Sequence, residues 1–316
     1  MSYEDLEAVI AEKYPSFYKH TFMLEMSAQR DQDFSEHIKS YLEEAKARSK
    51  TQGANGTYSG YAYESLDVVY NIIKNGKVFP NTELLDSIVN VAIETLAAEK
   101  QTISAKLSAV RLLQLLYFSN CGQKKDWDVV SDQMAENIST FSVGSEMGFF
   151  SKDTDIVLSF QYNLFLSVFF ESKRDLLVET LYSIGANDSY TIIQFLRIIV
   201  GFLDDARTQI GDDNLLTAFL YYSILMSKHK ERDIKYHATK CLIELTCFKC
   251  TKHLALIHLS QIMNTGSQAE KIAILTRLRQ IQADDDAYVK QIVNKGRSDN
   301  NYLVRFVAER ENHEYD

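Results

Sequence analysis

A chain of 316 residues with 46% hydrophobic residues is too apolar to be a disordered protein and long enough to bury a continuous core. No uncharged apolar run reaches the roughly 18 residues that a membrane-spanning helix needs, so we predict no membrane contact. The formal net charge of −9 argues against a chain that binds nucleic acid over its whole surface.

The first 60 residues are predicted to form N-terminal helices and a loop. Residues 2–13 and 33–48 show helical amphipathicity, and Pro15 is expected to end the first of these helices. Residues 51–60 contain three glycines among small polar residues, which predicts a flexible loop. A phosphate-binding loop would need a following Lys-Ser or Lys-Thr pair, and none is present. We therefore assign 1–50 to helices and 51–60 to the loop.

The rest of the chain is expected to be helical, because the whole chain has only two prolines and 12 glycines, the residues that most often end helices and form turns. Between residues 61 and 230 the apolar spacing favours helices over 61–74, 84–100, 101–119, 125–140, 153–171, 173–184, 188–203 and 213–228. The candidate N-caps in this part of the chain are Asn81 or Thr82, Asp153, Asp188, and Asp212 or Asp213.

Aromatic residues are dense between residues 149 and 170. They fit either a peptide-binding groove or a wide core between helix layers, and the core is favoured because aromatics at helical spacing usually point inward. The residues are Phe149, Phe150, Phe160, Tyr162, Phe165, Phe169 and Phe170.

One helical pattern occurs three times between residues 231 and 311. The first copy places Lys235 beside an apolar face made of Ile234, Ala238, Cys241, Leu242 and Leu245. The second copy has Lys271, Ile274, Leu278 and Ile281, and the third has Val304, Arg305 and Ala308. The basic positions are 36 and 34 residues apart, which is the length of a helix–turn–helix unit. A distant fourth copy has Lys106, Ala109, Leu112, Leu113 and Leu116.

This pattern resembles the HEAT and armadillo repeat families. The resemblance implies an all-α fold in which stacked helix pairs form a right-handed α-solenoid over residues 61–316, most clearly at 231–311. It also implies a ladder in which each basic motif residue bonds to a polar residue near the start of a neighbouring helix: Lys106, Lys235, Lys271 and Arg305. Because Glu270 stands where the pattern expects an apolar residue, the ladder is expected to be partial.

The spacing of Cys247, Cys250, His253 and His258 supplies the right ligand types for zinc. A redox-active pair of cysteines is a second interpretation, and buried or turn cysteines are a third. The third is favoured, because the two histidines are five residues apart and fall about 140° apart around a helix. With four cysteines in the chain, a disulfide framework is not indicated, and the cytoplasm is the expected compartment.

No motif of a known catalytic set is present, so we expect no catalytic residue and no cofactor, and an enzyme is not favoured. The acidic run Asp284, Asp285 and Asp286 lacks further oxygen ligands and fits the start of a helix. Asp204 and Asp205 fit a solvated helix end in the same way.

Charge is unevenly distributed along the chain. Residues 1–230 carry 21 basic and 31 acidic side chains, whereas 231–311 carry 13 basic and 10 acidic ones. Our first hypothesis is a non-catalytic cytoplasmic scaffold that binds a protein partner on its concave surface. The alternative is a nucleic-acid-binding repeat protein, similar to HEAT-fold DNA glycosylases, and a small-molecule enzyme using the Cys and His residues is the weakest. Under either of the first two hypotheses, the basic segment 231–311 supplies a surface for an anion or a partner. Its residues are Lys240, Lys271, Arg277, Arg279, Lys290, Lys295 and Arg297.

Overall fold

The computed structural model describes residues 35–50, 61–76, 80–98, 103–119, 126–141, 151–183, 188–206, 210, 212–281 and 286–309. Within these ranges the chain forms fourteen α-helices and no β-strand, which confirms the predicted all-α class. None of the described helices is long and apolar enough to cross a lipid bilayer. The helix predicted at 2–13 and the loop predicted at 51–60 lie outside the described residues.

The chain divides into two compact units, of which Met1–Phe169 is the first. Its described helices are α1 (Ser35–Lys50), α2 (Tyr61–Gly76), α3 (Thr82–Ala97), α4 (Ile103–Phe118), α5 (Trp127–Phe141) and α6 (Ser151–Leu166). Contacts in this unit are local along the chain. Helix α1 packs against α2 and α3, α4 packs against α2 and α3, α5 packs against α3, and α6 packs against α4 and α5.

The second unit is Phe170–Asp316. Its described helices are α7 (Glu171–Ser183), α8 (Ser189–Ala206), α9 (Asp213–Met226), α10 (Arg232–Leu245), α11 (Lys252–Thr265), α12 (Gln268–Ile281), α13 (Ala287–Arg297) and α14 (Tyr302–Glu309). The helices α8, α10, α12 and α14 form one row, here called the even row, because each packs against the next of the four. Helix α7 packs against α9. Helix α11 packs against α13. From α9 onward, each helix also contacts the next helix in the chain.

The starts of several helices are fixed by capping side chains. Asn81, Asp188 and Asp212 each accept a hydrogen bond from the backbone N–H three residues later, at 2.9, 3.1 and 2.9 Å, which confirms three predicted N-caps. Asp286 caps α13 in the same manner, in agreement with the helix start predicted there. The predicted cap Asp153 is wrong, because α6 begins two residues earlier and Asp153 lies within its first turn.

The apolar positions of the repeated pattern face the core. In α10 all five are fully buried: Ile234, Ala238, Cys241, Leu242 and Leu245. The other motif helices α4, α12 and α14 bury their corresponding residues, namely Ala109, Leu112, Leu113, Leu116, Ile274, Leu278, Val304 and Ala308. Ile281 differs because it is the last residue of α12, where it is only half-buried. The inward face predicted from the spacing is therefore confirmed.

The aromatic tract contributes mainly to the core of the first unit. Phe160, Tyr162 and Phe165 are buried, and Phe169 is half-buried against Phe165, with ring centroids 5.6 Å apart. Burial raises the pKa of the Tyr162 phenol strongly. For these residues the core interpretation is confirmed, whereas Phe149 and Phe150 lie outside the described residues.

Candidate functional site

Arg277 on α12 connects three helices of the even row. Its Nε and Nη2 atoms donate to the Glu244 carboxylate on α10 at 2.8 and 3.2 Å, and Nη2 also donates to Asp204 on α8 at 2.6 Å. Hydrogen bonding to Glu244 is the main cause that raises the pKa of Arg277, so the guanidinium stays charged. Because Glu244 is only 7% exposed, little water could replace a lost guanidinium.

Two further basic residues of the predicted surface bind backbone carbonyls inside the second unit. Arg279 donates to the carbonyl oxygens of Val307, at 3.0 Å, and Ala308 at the end of α14. Lys295 on α13 donates to the carbonyl oxygen and the hydroxyl of Ser260 on α11, at 2.7 and 2.9 Å. Both side chains therefore satisfy helix carbonyls and connect neighbouring helices.

Lys271 forms the kind of contact that the ladder hypothesis requires. Its Nζ lies 2.7 Å from the Asp299 carboxylate, just before α14, and both side chains are largely buried. Burial alone would raise the pKa of Asp299, but the hydrogen bonds from Lys271 and a backbone N–H lower it.

The other proposed ladder positions are less alike. Arg305 donates to the carbonyl oxygens of Asp299 and Asn300, a few residues before it in the chain. Lys106 is buried, at 6% exposure. The half-buried Lys235 side chain makes no hydrogen bond or ion pair with other described residues. The ladder as a whole stays a prediction.

The remaining predicted surface residues are Lys240, Lys290 and Arg297. Lys290 and Arg297 are exposed on α13. Lys240 is half-buried on α10, with its Nζ 4.8 Å from the centroid of the Tyr236 ring. The structure thus separates the seven residues into four that bind groups within the second unit and three that face solvent or an aromatic ring.

The Cys and His residues with zinc-like spacing do not converge. Cys247 is half-buried, Cys250 is exposed, and the His253 ring packs edge-on against Tyr288 at 4.9 Å between centroids. Burial raises the pKa of Cys250 and lowers that of His258. Among the residues that the structure describes, no group of three or more His, Cys, Asp and Glu side chains is arranged to hold a metal ion.

Two residues of α8 that the sequence analysis did not single out also bear on the candidate site. Arg197 and Gly201 lie one turn apart on α8, and Arg197 is exposed. The sequence does contain a signal for them, because one arginine and one glycine interrupt the apolar residues of α8. Asp204, interpreted from the sequence as a solvated helix end, instead binds Arg277.

Comparison of the chain with protein-family models, with curated proteins and with solved structures gave no match in any of the three. The HEAT and armadillo resemblance therefore rests on the repeated residues of this chain.

Proposed function

We propose that the protein is a right-handed α-solenoid of the HEAT or armadillo type, which binds a protein partner on its concave surface and has no catalytic activity of its own. The observation that carries this proposal is the local contact pattern, in which helices of each unit pack against the next helix or the next but one. Stacked helix pairs produce such a pattern and leave an extended surface exposed along each row.

A protein partner suits this surface better than a nucleic acid. Lys271, Arg277, Arg279 and Lys295 are already engaged by carboxylates or carbonyl oxygens of the second unit. A nucleic-acid groove depends on cations that are available to phosphates, and the chain as a whole is acidic. Cys241, Cys247 and Cys250 are not in disulfides, which suits a reducing compartment, and we propose that the protein acts in the cytoplasm.

The proposal is tested by placing a photo-cross-linking amino acid on each row of the second unit. Thr276 is exposed on α12 of the even row, and Gln261 is exposed on α11 of the other row. In cells we expect one of the two positions to give a discrete protein adduct while the other gives none, because a concave surface lies on one row. Equal, diffuse cross-linking at both positions would contradict the proposal, and adducts that disappear with nuclease would favour the nucleic-acid alternative.

A further inference from the structure

Helices α8 and α10 run side by side in the same direction. At their starts the Ser189 hydroxyl donates to the Glu231 carboxylate at 2.5 Å. Midway, the Cys241 thiol donates to the Leu196 carbonyl oxygen at 3.2 Å. Near their ends Asp204 and Glu244 share one guanidinium. The two helices are therefore in register over their length, and Arg197 of α8 lies near His237 of α10. The strip along them, here called the seam, contains the exposed Arg197 and the half-buried Gly201, Tyr236, His237 and Lys240.

The seam contains two cations that form no ion pair with the described residues. The side chains of Arg197 and Lys240 form no ion pair with any described carboxylate, although Lys240 lies over the Tyr236 ring. His237 packs edge-on against Tyr236, with ring centroids 5.6 Å apart. Burial lowers the pKa of His237, and the nearby charges of Lys240 and Arg197 lower it further, while Asp233 opposes them. The charged groups that face His237 are thus Arg197 on α8 and Lys240 and Asp233 on α10.

Gly201 leaves an open notch in the same strip. Glycine in the middle of a helix is less favourable than alanine, so its presence calls for a reason. Packing supplies none, because a Cβ atom built on Gly201 would meet no heavy atom within 4 Å. Gly201 lies one turn after Arg197, and the register of α8 and α10 brings it close to the level of Lys240. The missing side chain lets another backbone approach the two cations.

The carboxylates around the seam limit what can bind there. Asp204 and Glu244 lie at one end, where Arg277 offsets one of their two negative charges, while Asp233 stands near the other end. A single doubly charged group fits between them and matches two permanent cations, whereas one carboxylate would neutralise only one of them. A continuous polyanion such as a nucleic acid would have to pass these acidic residues.

We propose that the seam binds a phosphorylated side chain of a peptide, with Arg197 and Lys240 holding the phosphate and the peptide backbone passing over the Gly201 notch. A guanidinium and an ammonium group together suit a phosphate dianion, and Tyr236 offers an aromatic surface to the flanking peptide. This inference rests on the proposed function, for which it specifies the chemistry of the partner.

The test uses the full chain with labelled histidines, and follows the His237 resonance by NMR while a short phosphoserine peptide is added. Bound phosphate favours the imidazolium, so we expect the pKa of His237 to rise, while the resonances of His229, His253 and His258 should not respond to the peptide. The Arg197→Gln and Lys240→Gln variants should each bind about tenfold more weakly, as expected for one charge-assisted hydrogen bond. Lys235→Gln, a matched change on the same helix, should bind as the unchanged protein does.

A second variant separates binding from folding. Gly201→Leu should keep or raise the melting temperature, since a Cβ atom there meets no heavy atom within 4 Å and leucine favours helix more than glycine does, yet it should abolish the response of His237 to the peptide. The same response to a peptide with glutamate in place of phosphoserine, or to a single-stranded oligonucleotide, would overturn the assignment, as would no response to the phosphopeptide. If the seam fails in this way while row-specific protein cross-linking persists, only this inference falls; if that cross-linking is also missing, the proposed function falls with it.

Discussion

Ser267 and Glu270 cap each other across the first turn of α12. The N–H and hydroxyl of Ser267 donate to the Glu270 carboxylate at 2.8 and 2.7 Å, and the Ser267 hydroxyl accepts from the Glu270 N–H at 3.4 Å. Glu270 also accepts a hydrogen bond from the buried Thr239 on α10 at 3.2 Å. This explains why a glutamate stands at a position where the repeat pattern expects an apolar residue.

We expect Glu270→Leu to lower the free energy of unfolding by about 1–2 kcal/mol, because it leaves the N–H and hydroxyl of Ser267 without their acceptor, while Thr239 keeps the Lys235 carbonyl oxygen at 2.9 Å. Glu270→Gln keeps an acceptor oxygen and should cost less. Urea unfolding of both variants measures the difference. A leucine variant as stable as the glutamine variant would show that the apolar pattern, and not the cap, governs this position.

Arg277→Ala is expected to destabilise the second unit by about 2–3 kcal/mol, since it leaves Glu244 charged and poorly hydrated. The control is Arg297→Ala at an exposed position, which should change stability by less than about 0.5 kcal/mol. Replacing Arg277 and Glu244 together by methionine should recover part of the loss, because the buried Glu244 charge is removed, although Asp204 still loses its bond to Arg277. Equal stability of the two alanine variants in chemical denaturation would contradict the role assigned to Arg277.

Lys271→Met should remove about 1–2 kcal/mol of stability at neutral pH through the lost bond to Asp299. The pKa of Asp299 is lowered in the folded protein, so the bond contributes fully above the unfolded pKa of about 3.9 and its contribution is lost as the pH falls further. Unfolding measured at several pH values should therefore show the two proteins converging below about pH 4. Lys290→Met, at an exposed site, should show no such convergence; a Lys271→Met deficit that persisted in acid would exclude the ion pair as its cause.

Two helical glycines should respond to alanine in opposite directions. A Cβ on Gly296 would lie 2.9 Å from both the Ala308 Cβ and a Leu275 methyl group, so Gly296→Ala should destabilise the protein by about 1–3 kcal/mol. Gly201→Ala should stabilise it by up to about 1 kcal/mol, because that position is open. Melting temperatures of the two variants check this. A stabilised Gly296→Ala variant would mean that α13 does not approach α12 and α14 so closely.

A chain that ends after residue 282, and so lacks α13 and α14, should keep its remaining helices folded. In a stacked array each helix pair contacts only its neighbours, and the main contacts that α13 and α14 make with the rest of the chain are with α11 and α12. Circular dichroism per residue should stay close to that of the whole protein. Collapse of the helical signal throughout the shortened chain would contradict the solenoid proposal.

The helices and their buried faces could be predicted from the sequence because both depend on local spacing. The i, i+4 and i+7 positions of α10 are apolar in the sequence and buried in the structure. N-caps such as Asn81 and Asp212 are local as well. The N-cap prediction at Asp153 was wrong for a local reason as well. Several polar residues stand near the start of α6, and the sequence does not show which of them is the N-cap.

The candidate site could not be predicted in the same way, because its contacts join distant parts of the chain. Arg277 meets Glu244 and Asp204, which precede it by 33 and 73 residues. From the sequence we expected Arg277 and Arg279 on an open surface and Arg305 in a ladder. In the structure the two former residues bind other helices, and Arg305 binds carbonyls next to its own helix. The side chains that a basic residue can reach depend on how the helices pack against one another. The spacing of residues along the sequence does not show this packing.

The bond between Cys241 and Leu196 also provides an internal reporter. Burial raises the pKa of the Cys241 thiol strongly, so in the folded protein this residue is both shielded and protonated. A thiol-reactive dye can therefore modify it only during moments when α8 separates from α10, whereas the exposed Cys250 reacts without any such opening. The slow labelling rate of Cys241 would give the frequency of that local separation in the native state, at a single position and without denaturant.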